Sequence, residues 1–421
     1  MKQKFFRVLA DLRFTIFILL VISVCSIVGT IIEQDQSIET YKTNYPLINP
    51  IFGFISWPLI IQLGLDHIYK TWWFLTLIVL LGSSLILCTF LQQLPALKIA
   101  RRCQFFRTSN SFYKLTLSTI LLDFSSNKIL ARLKSKQYSI FQQKNMIYCY
   151  KGLIGRIAPI MVHFSLICIL LGTIIGALFG FKAQEIIPKT EIFHIQNILN
   201  NGPVTFFSQT SARVNDFWIT YTPTKTISQF YSNISILNNQ GMEIMAKTVS
   251  VNSPLIYKNI YYYQTDWNLI GLRFQTFTNK IMEYPLLNIF ENQNKVWVTW
   301  IITNTISKNG ILLVIDNLEG YCSIYNEIGQ FLGNLELNET IKIPLFLTFF
   351  EIISSTGLQI KTDPGIPIIY LGFFFLMLST LVSYITYSQV WLIKNDKKIF
   401  IGGNTNRATF EFELEFLKIV K

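Results

Sequence analysis

Four apolar runs constrain this chain more than any other feature, because each is about as long as the roughly 20 residues that cross a bilayer's hydrocarbon as a helix. They are Phe14–Ile32, Trp72–Leu91, Ile157–Phe181 and Ile366–Ile393. The expected fold is an integral membrane protein, with four transmembrane α-helices and a large, predominantly β soluble domain between helices three and four. With 51% hydrophobic and 14% charged residues, the 421-residue chain has little in common with a water-soluble domain. The first run lacks a small-residue cleavage site and leads into Glu33-Gln34-Asp35, so it reads as a retained helix rather than a signal peptide.

Charge sets the orientation, since Lys and Arg stay on the side of synthesis. The N-terminus carries Lys2, Lys4, Arg7 and Arg13, and the loop between the second and third runs holds twelve basic residues against Asp123. Both are expected inside. The plan is then 1–13 inside, helix 14–32, outer loop 33–71, helix 72–91, inner loop 92–156, helix 157–181, outer domain 182–365, helix 366–393 and inner tail 394–421. The net charge of +12 follows from these inner-face segments and suits anionic lipid; it does not call for nucleic acid.

Between the runs the pattern changes. The stretch Ile51–Tyr69 is apolar but broken by Gly53, Pro58, Gly64 and Asp66, and with Trp57, Trp72 and Trp73 it is expected at the membrane interface. The inner loop reads as a small strand-containing insertion. Within 182–365, VNDFWITYTP, QFYSNISILNNQGMEIMAKTVSV, NIYYYQTDW, KVWVTWIIT and ILLVIDNLEGYCSIYNEIG read as strands or hairpins, with Asn and Gly at the turns. GGNTNRATFEFELEF, in the tail, lacks the Lys-Ser/Thr of a phosphate-binding loop and reads as a turn before a short strand.

Six cysteines are present, and only Cys322 lies in the outer domain, which therefore closes no internal disulfide. Without a Cys-x-x-Cys or Cys-x-x-Cys-His, the chain is neither a thiol oxidoreductase nor a carrier of covalent haem of its own. Any thiol chemistry belongs to a partner.

The histidines are His67, His163 and His194. His163 sits inside a membrane run, where an ionisable side chain needs a partner or a purpose. Position alone leaves three roles open: an inter-helix hydrogen bond, a haem ligand or a proton relay. On a helical wheel Arg156 lies near the His163 face, about 10 Å toward the inner surface, and Ile167, Leu170 and Ile174 form an apolar wall on that face. Gly172, Gly176 and Gly180 make a small-residue ridge behind it. The set suits haem, with His163 on the iron and Arg156 near the propionates. One histidine gives one axial ligand, so a second membrane subunit is expected. His67, beside Asp66 at the outer interface, is a weaker candidate for haem, and His194 reads as a surface residue. Asp11 either pairs with Arg7 or Arg13 or belongs to an inner-face site.

These features, with DLRFTIFILL, VNDFWITY, VNSPLIYKNIYYYQTDW, DPGIPIIYLG and GGNTNRATFEFE, resemble the ResB/CcsB-type cytochrome c biogenesis proteins of System II, known as Ccs proteins in algal plastids. The resemblance spans nearly the whole chain. It implies transient handling of haem b and its passage across the membrane to apocytochrome c. A CcsA-type membrane subunit is the implied partner, and a thiol-reducing protein is a possible further one. It also implies a thylakoid membrane location, with stromal termini and a lumenal domain, or a bacterial plasma membrane as the alternative. The family's membrane histidine falls on His163 and its inner-end acid on Asp11. At Lys258-Asn259 relatives often carry Gly second, and Asn tolerates the same left-handed turn. No independent catalytic centre is assigned, so the chain reads as an accessory subunit. A b-type haem redox subunit would need paired membrane histidines. A membrane-tethered binding or scaffold module would leave His163 structural.

Overall fold

The computed structural model describes residues 2–48, 50, 55–122, 125–206, 210–224, 226–291, 294–302, 310–341, 347–395 and 398–421. Asp123 and residues 51–54 of the interfacial stretch lie outside these. The chain divides into two units, Met1–Ala177 with Gly365–Lys421, and Leu178–Pro364.

Among the described residues, four helices are long and apolar enough to span a membrane. The first is Leu12–Ile31, the second begins at Trp72, the third is Ala158–Phe179 and the fourth Ile366–Ser383. Their starts follow local chemistry. The Asp11 side chain caps the first by accepting the Arg13 N–H, and Thr71 caps the second by accepting that of Phe74. The second span runs as α-helix to Cys88, continues as a π turn over Thr89–Gln93, and resumes over Leu94–Ala100. Pro95 accounts for the irregularity: it has no N–H to give, and its ring crowds the preceding turn.

Two expectations are corrected here. The fourth helix ends at Ser383, not Ile393, because Ser388–Asn395 is a strand. Val390, Trp391, Leu392 and Ile393 form an apolar run because the strand is buried on both faces, a pattern that hydropathy cannot tell from a helix. In the tail, the strand is Lys398–Thr405, and Thr409–Val420 is a helix. FEFELEF alternates like a strand, yet the buried residues are Phe412, Phe416 and Ile419, spaced as one helical face.

Those tail strands complete the sheet begun in the inner loop. Its antiparallel order is 117–122, 398–405, 388–395, 146–151, 139–143. The inner loop and the tail are thus a single folded body. Ile129, Leu133, Ile147, Val390, Ile401, Phe412 and Phe416 form one core with Cys149, whose thiol burial pushes up to about 12. On the other face lie Phe112, Tyr148, Trp391 and Ile393.

The second unit, Leu178–Pro364, is rich in sheet. The strands Ile260–Thr276 and Leu347–Thr362 pair antiparallel from Tyr261↔Lys361 to Thr276↔Leu347, with three bulges. At one end of this spine, Tyr262, Leu358 and Ile360 join Val214, Ile234 and Val249 in a core; at the other, Leu272, Phe274 and Phe349 join Trp297, Leu313 and Cys322. The expected hairpins form, including a tight turn in which Lys258 and Asn259 both take positive φ. Leu347–Thr362 was not anticipated: buried residues on both faces erase the alternation that marks a strand.

Candidate functional site

His163 lies in the lower part of the third span, half-buried. Its Nδ1 is 2.9 Å from Thr89 Oγ1, at the start of the π turn in the second span. Thr89 Oγ1 also lies 2.8 Å from the Leu85 carbonyl. A carbonyl can only accept, so the single hydroxyl hydrogen goes to Leu85, and Thr89 must accept from the Nδ1–H of His163. The imidazole is thereby held as the Nδ1–H tautomer, with the lone pair on Nε2. The ring also lies within hydrogen-bond reach of the Leu85 carbonyl, and among the described residues no side chain is bonded to Nε2. A neutral imidazole, fixed at one nitrogen and open at the other, is the form that ligates iron.

The surrounding seam is polar in a region that reads as apolar. The helix Lys2–Leu9 breaks before Asp11, leaving carbonyls without helical partners. Ser84 Oγ donates to the Leu9 carbonyl at 2.6 Å and lies 2.7 Å from Thr15 Oγ1, while Gln92 Nε2 donates to the Ala10 carbonyl at 2.8 Å. Polar groups in hydrocarbon must find such partners within the protein. Ser84, Thr89 and Gln92 were missed in the sequence; their only signal was being polar in and just after an otherwise apolar run.

Arg156 is not on the His163 helix. Residues Leu153–Arg156 form a 3-10 turn before the span begins at Ala158, so the wheel does not extend to it. Its guanidinium lies over the Tyr387 ring, 5.1 Å from the centroid, and its Nε is buried without a hydrogen-bond partner. Tyr387 donates to the Ala100 carbonyl at 2.9 Å and lies 3.2 Å from Tyr148 Oη. Burial pushes its phenol up, and the Tyr148 hydrogen bond adds to this. A buried orphan donor on a cation is costly, and a carboxylate would satisfy it.

The apolar wall is also corrected. Ile167, Leu170 and Ile174 share a face, but that face packs against the first and second spans, with Ile18, Leu81, Leu85 and Ile78. A wheel shows which residues share a face, not what covers them. The glycine ridge does serve close packing. A Cβ on Gly172 would sit 2.6 Å from Ile369 Cγ1, one on Gly365 would be 2.9 Å from Gly176 N, and one on Gly372 would be 2.6 Å from Ile169 Cγ1. The third and fourth spans therefore cross with backbones nearly touching. Gly180 lies beyond the end of the third helix.

Asp11 accepts the Arg13 backbone N–H at 3.2 Å, and among the described residues its carboxylate makes no ion pair with an arginine side chain. His194 is exposed, with Nδ1 3.3 Å from Ser211 Oγ. His67 stands in the 3-10 turn Leu65–Lys70, its Nδ1 2.9 Å from Asp66 Oδ1, at the opposite end of the second span from Thr89.

The chain matches a family model described as ResB, a ResB-like family, over residues 12–311 and 322–417. It is 72% identical over 421 residues to a Phaeodactylum tricornutum protein named cytochrome c biogenesis protein Ccs1, covering 100% of both chains. The Thalassiosira pseudonana protein of the same name is 64% identical, again over 100% of both. A Nostoc protein named cytochrome c biogenesis protein CcsB is 43% identical over 427 residues, covering 100% of this chain and 93% of the relative.

Proposed function

The chain belongs to the ResB-like family, and on that premise we propose that it serves c-type cytochrome biogenesis as the haem-holding subunit of a membrane haem transport and ligation complex. The observation that carries this reading is the Thr89–His163 hydrogen bond, which leaves Nε2 open for iron. Haem b is the cargo, ligated in transit by His163, with a propionate satisfying Arg156. Because no span contains a second histidine, a CcsA-type subunit supplies the other axial ligand. Asp11 acts indirectly, by fixing the start of the first span beside the Ser84–Gln92 seam. The client is apocytochrome c, whose own cysteines form the thioether bonds after a thiol-reducing partner has opened them. Burial pushes the Cys322 thiol up to about 12, so the sheet-rich unit has no thiolate to offer that chemistry.

In this reading the membrane is the thylakoid, with both termini in the stroma and the unit Leu178–Pro364 in the lumen. Support comes from the diatom and cyanobacterial relatives and from the basic residues between the second and third spans. The test is the visible spectrum of the complex co-purified with its CcsA-type partner. A histidine-ligated haem signal is expected from the native chain and a much weaker one from His163→Ala, recovering on addition of imidazole. An unchanged spectrum in His163→Ala would remove the ligand assignment.

A further inference from the structure

The tail helix Thr409–Val420 has two apolar faces, and the body formed by the inner loop and the tail uses one of them. Phe412, Phe416 and Ile419 are buried against the sheet, while Phe410, Leu414 and Leu417 are 71%, 45% and 47% exposed. On a helical wheel the exposed three fall within about 60° of one another, on the side turned away from the sheet. We infer that this stripe is an interface between two copies of the chain, formed by antiparallel pairing of their tail helices. The inference goes beyond the haem-holding reading and does not depend on it.

The placement of the helix sets the geometry. The strand Ser388–Asn395 begins shortly after the fourth span ends at Ser383, and Arg407 Nη1 donates to the Ser383 carbonyl at 3.3 Å. Phe412 lies against Gly403, which pairs with Val390; an added Cβ there would come within 2.5 Å of its ring. Glu415 Oε1 is 3.2 Å from Lys151 Nζ, and Lys151 pairs with Ser388. Gly403 and Lys151 belong to the strands on either side of Ser388–Asn395, so the helix crosses the sheet at the end of the strands nearest the membrane. Two copies inserted alike in one bilayer are related by a two-fold axis along its normal. A helix lying across that axis meets its mate antiparallel.

Charge selects the second copy over other occupants. Glu411 and Lys418 are exposed on one flank of the stripe, and among the described residues neither forms an ion pair. They stand two turns apart, about 10 Å, and do not meet within one helix. In an antiparallel pair, Leu414 of each helix packs on Leu417 of the other, and Glu411 of each comes within reach of Lys418 of the other. Glu413, on the opposite flank, stays in water. A stripe with acid toward one end and base toward the other is complementary to itself after a two-fold rotation, as an isologous interface requires. Lipid would not call for that pattern, and a stripe flanked by Glu411 and Glu413 is poorly matched to an anionic surface. Sharing a bilayer already removes much of the freedom that association costs, so a helix pair smaller than the roughly 800 Å² per partner of a soluble interface suffices.

The test is energy transfer between donor-labelled and acceptor-labelled copies of the full chain in liposomes, at a protein-to-lipid ratio low enough that unassociated chains give none. The native chain is expected to show transfer. Glu411→Lys or Lys418→Glu alone sets like charges together twice and should weaken self-association roughly tenfold. Combining the two substitutions in one chain restores both pairs and should return transfer to near the native level, as should mixing the two single variants. Leu414→Ser should abolish transfer while leaving the thermal midpoint near the native value, since the side chain is exposed. The charge swap keeps the test decisive if Leu414→Ser loses the fold. No transfer from the native chain, or native transfer from a folded Leu414→Ser, overturns the interface, and a swap as weak as the single variants overturns the antiparallel pairing. Quenching of a dye on Leu414→Cys, in a Cys103→Ser chain, by quencher-bearing lipid would place the stripe on the membrane and overturn the proposal as well.

Discussion

Thr89 Oγ1 accepts a hydrogen bond from His163 Nδ1 across the second and third spans, and the same oxygen donates to the Leu85 carbonyl. This relay fixes the histidine's tautomer without a charged group, an economical arrangement in hydrocarbon, where a carboxylate partner would be costly.

Thr89→Val keeps the shape and removes the oxygen. Intramembrane hydrogen bonds contribute on the order of 1 kcal/mol, so the fold should survive. The Nδ1–H tautomer should lose its preference, lowering haem affinity by about tenfold. Thr89→Ser should restore it. Haem affinity from Soret titration of the three proteins checks this; equal affinities would show that Thr89 only packs.

Arg156→Leu should weaken haem retention at the His163 end while leaving the Soret position unchanged, because Arg156 acts on the carboxylates and not on the iron. Arg156→Lys should recover only part, since Lys lacks the planar fork that binds a carboxylate through two N–H groups. A shifted Soret band in Arg156→Leu would place the residue near the iron instead.

Gly172→Leu tests the crossing of the third and fourth spans. The new side chain must displace Ile369 and the Gly365 backbone, and overpacking of this kind costs about 1–3 kcal/mol. A lower midpoint in thermal unfolding of the detergent-solubilised protein is expected. Gly82→Ala, where a Cβ would meet only Leu170 Cδ1 at 3.8 Å, should leave the midpoint near the native value.

In the sheet-rich unit, Glu351 pairs with Lys189 and with Arg273, the latter at 2.9 Å. Burial alone would raise its carboxyl, but the hydrogen bonds from Lys189 and Arg273 outweigh this and hold it below the ordinary value. A depressed carboxylate stabilises the fold above the unfolded-state pKa, about 4.3 for Glu, and that contribution is lost as pH falls through the folded one. Hydrogen exchange of strand Leu347–Thr362 should therefore accelerate as pH falls below about 4, after correction for intrinsic rates. Glu351→Gln should flatten that dependence.

How much of this was legible in the sequence depended on whether pattern or partner decided the outcome. Apolar length located the spans, and the glycine spacing at 172 and 176 located a close helix crossing. Length failed at Val390–Ile393, because a central strand and a membrane helix are equally apolar. Alternation failed at FEFELEF, where acids between phenylalanines mimic a strand. His163 was conspicuous as a histidine in hydrocarbon, whereas Thr89 was not: its role arises from a π turn that Pro95 imposes several residues later. Arg156 was found by its charge, but its contact with Tyr387 joins segments more than 200 residues apart, and no local pattern reports such a pairing.

The central claim is that His163 presents Nε2 to haem iron. Its most direct measurement is the resonance Raman spectrum of haem bound to the native chain with its CcsA-type partner, compared with His163→Ala in the presence and absence of imidazole. The account predicts an iron–histidine signature that vanishes in His163→Ala and is replaced by an imidazole-bound signature on rescue. A native signature that persists in His163→Ala without added imidazole would contradict it.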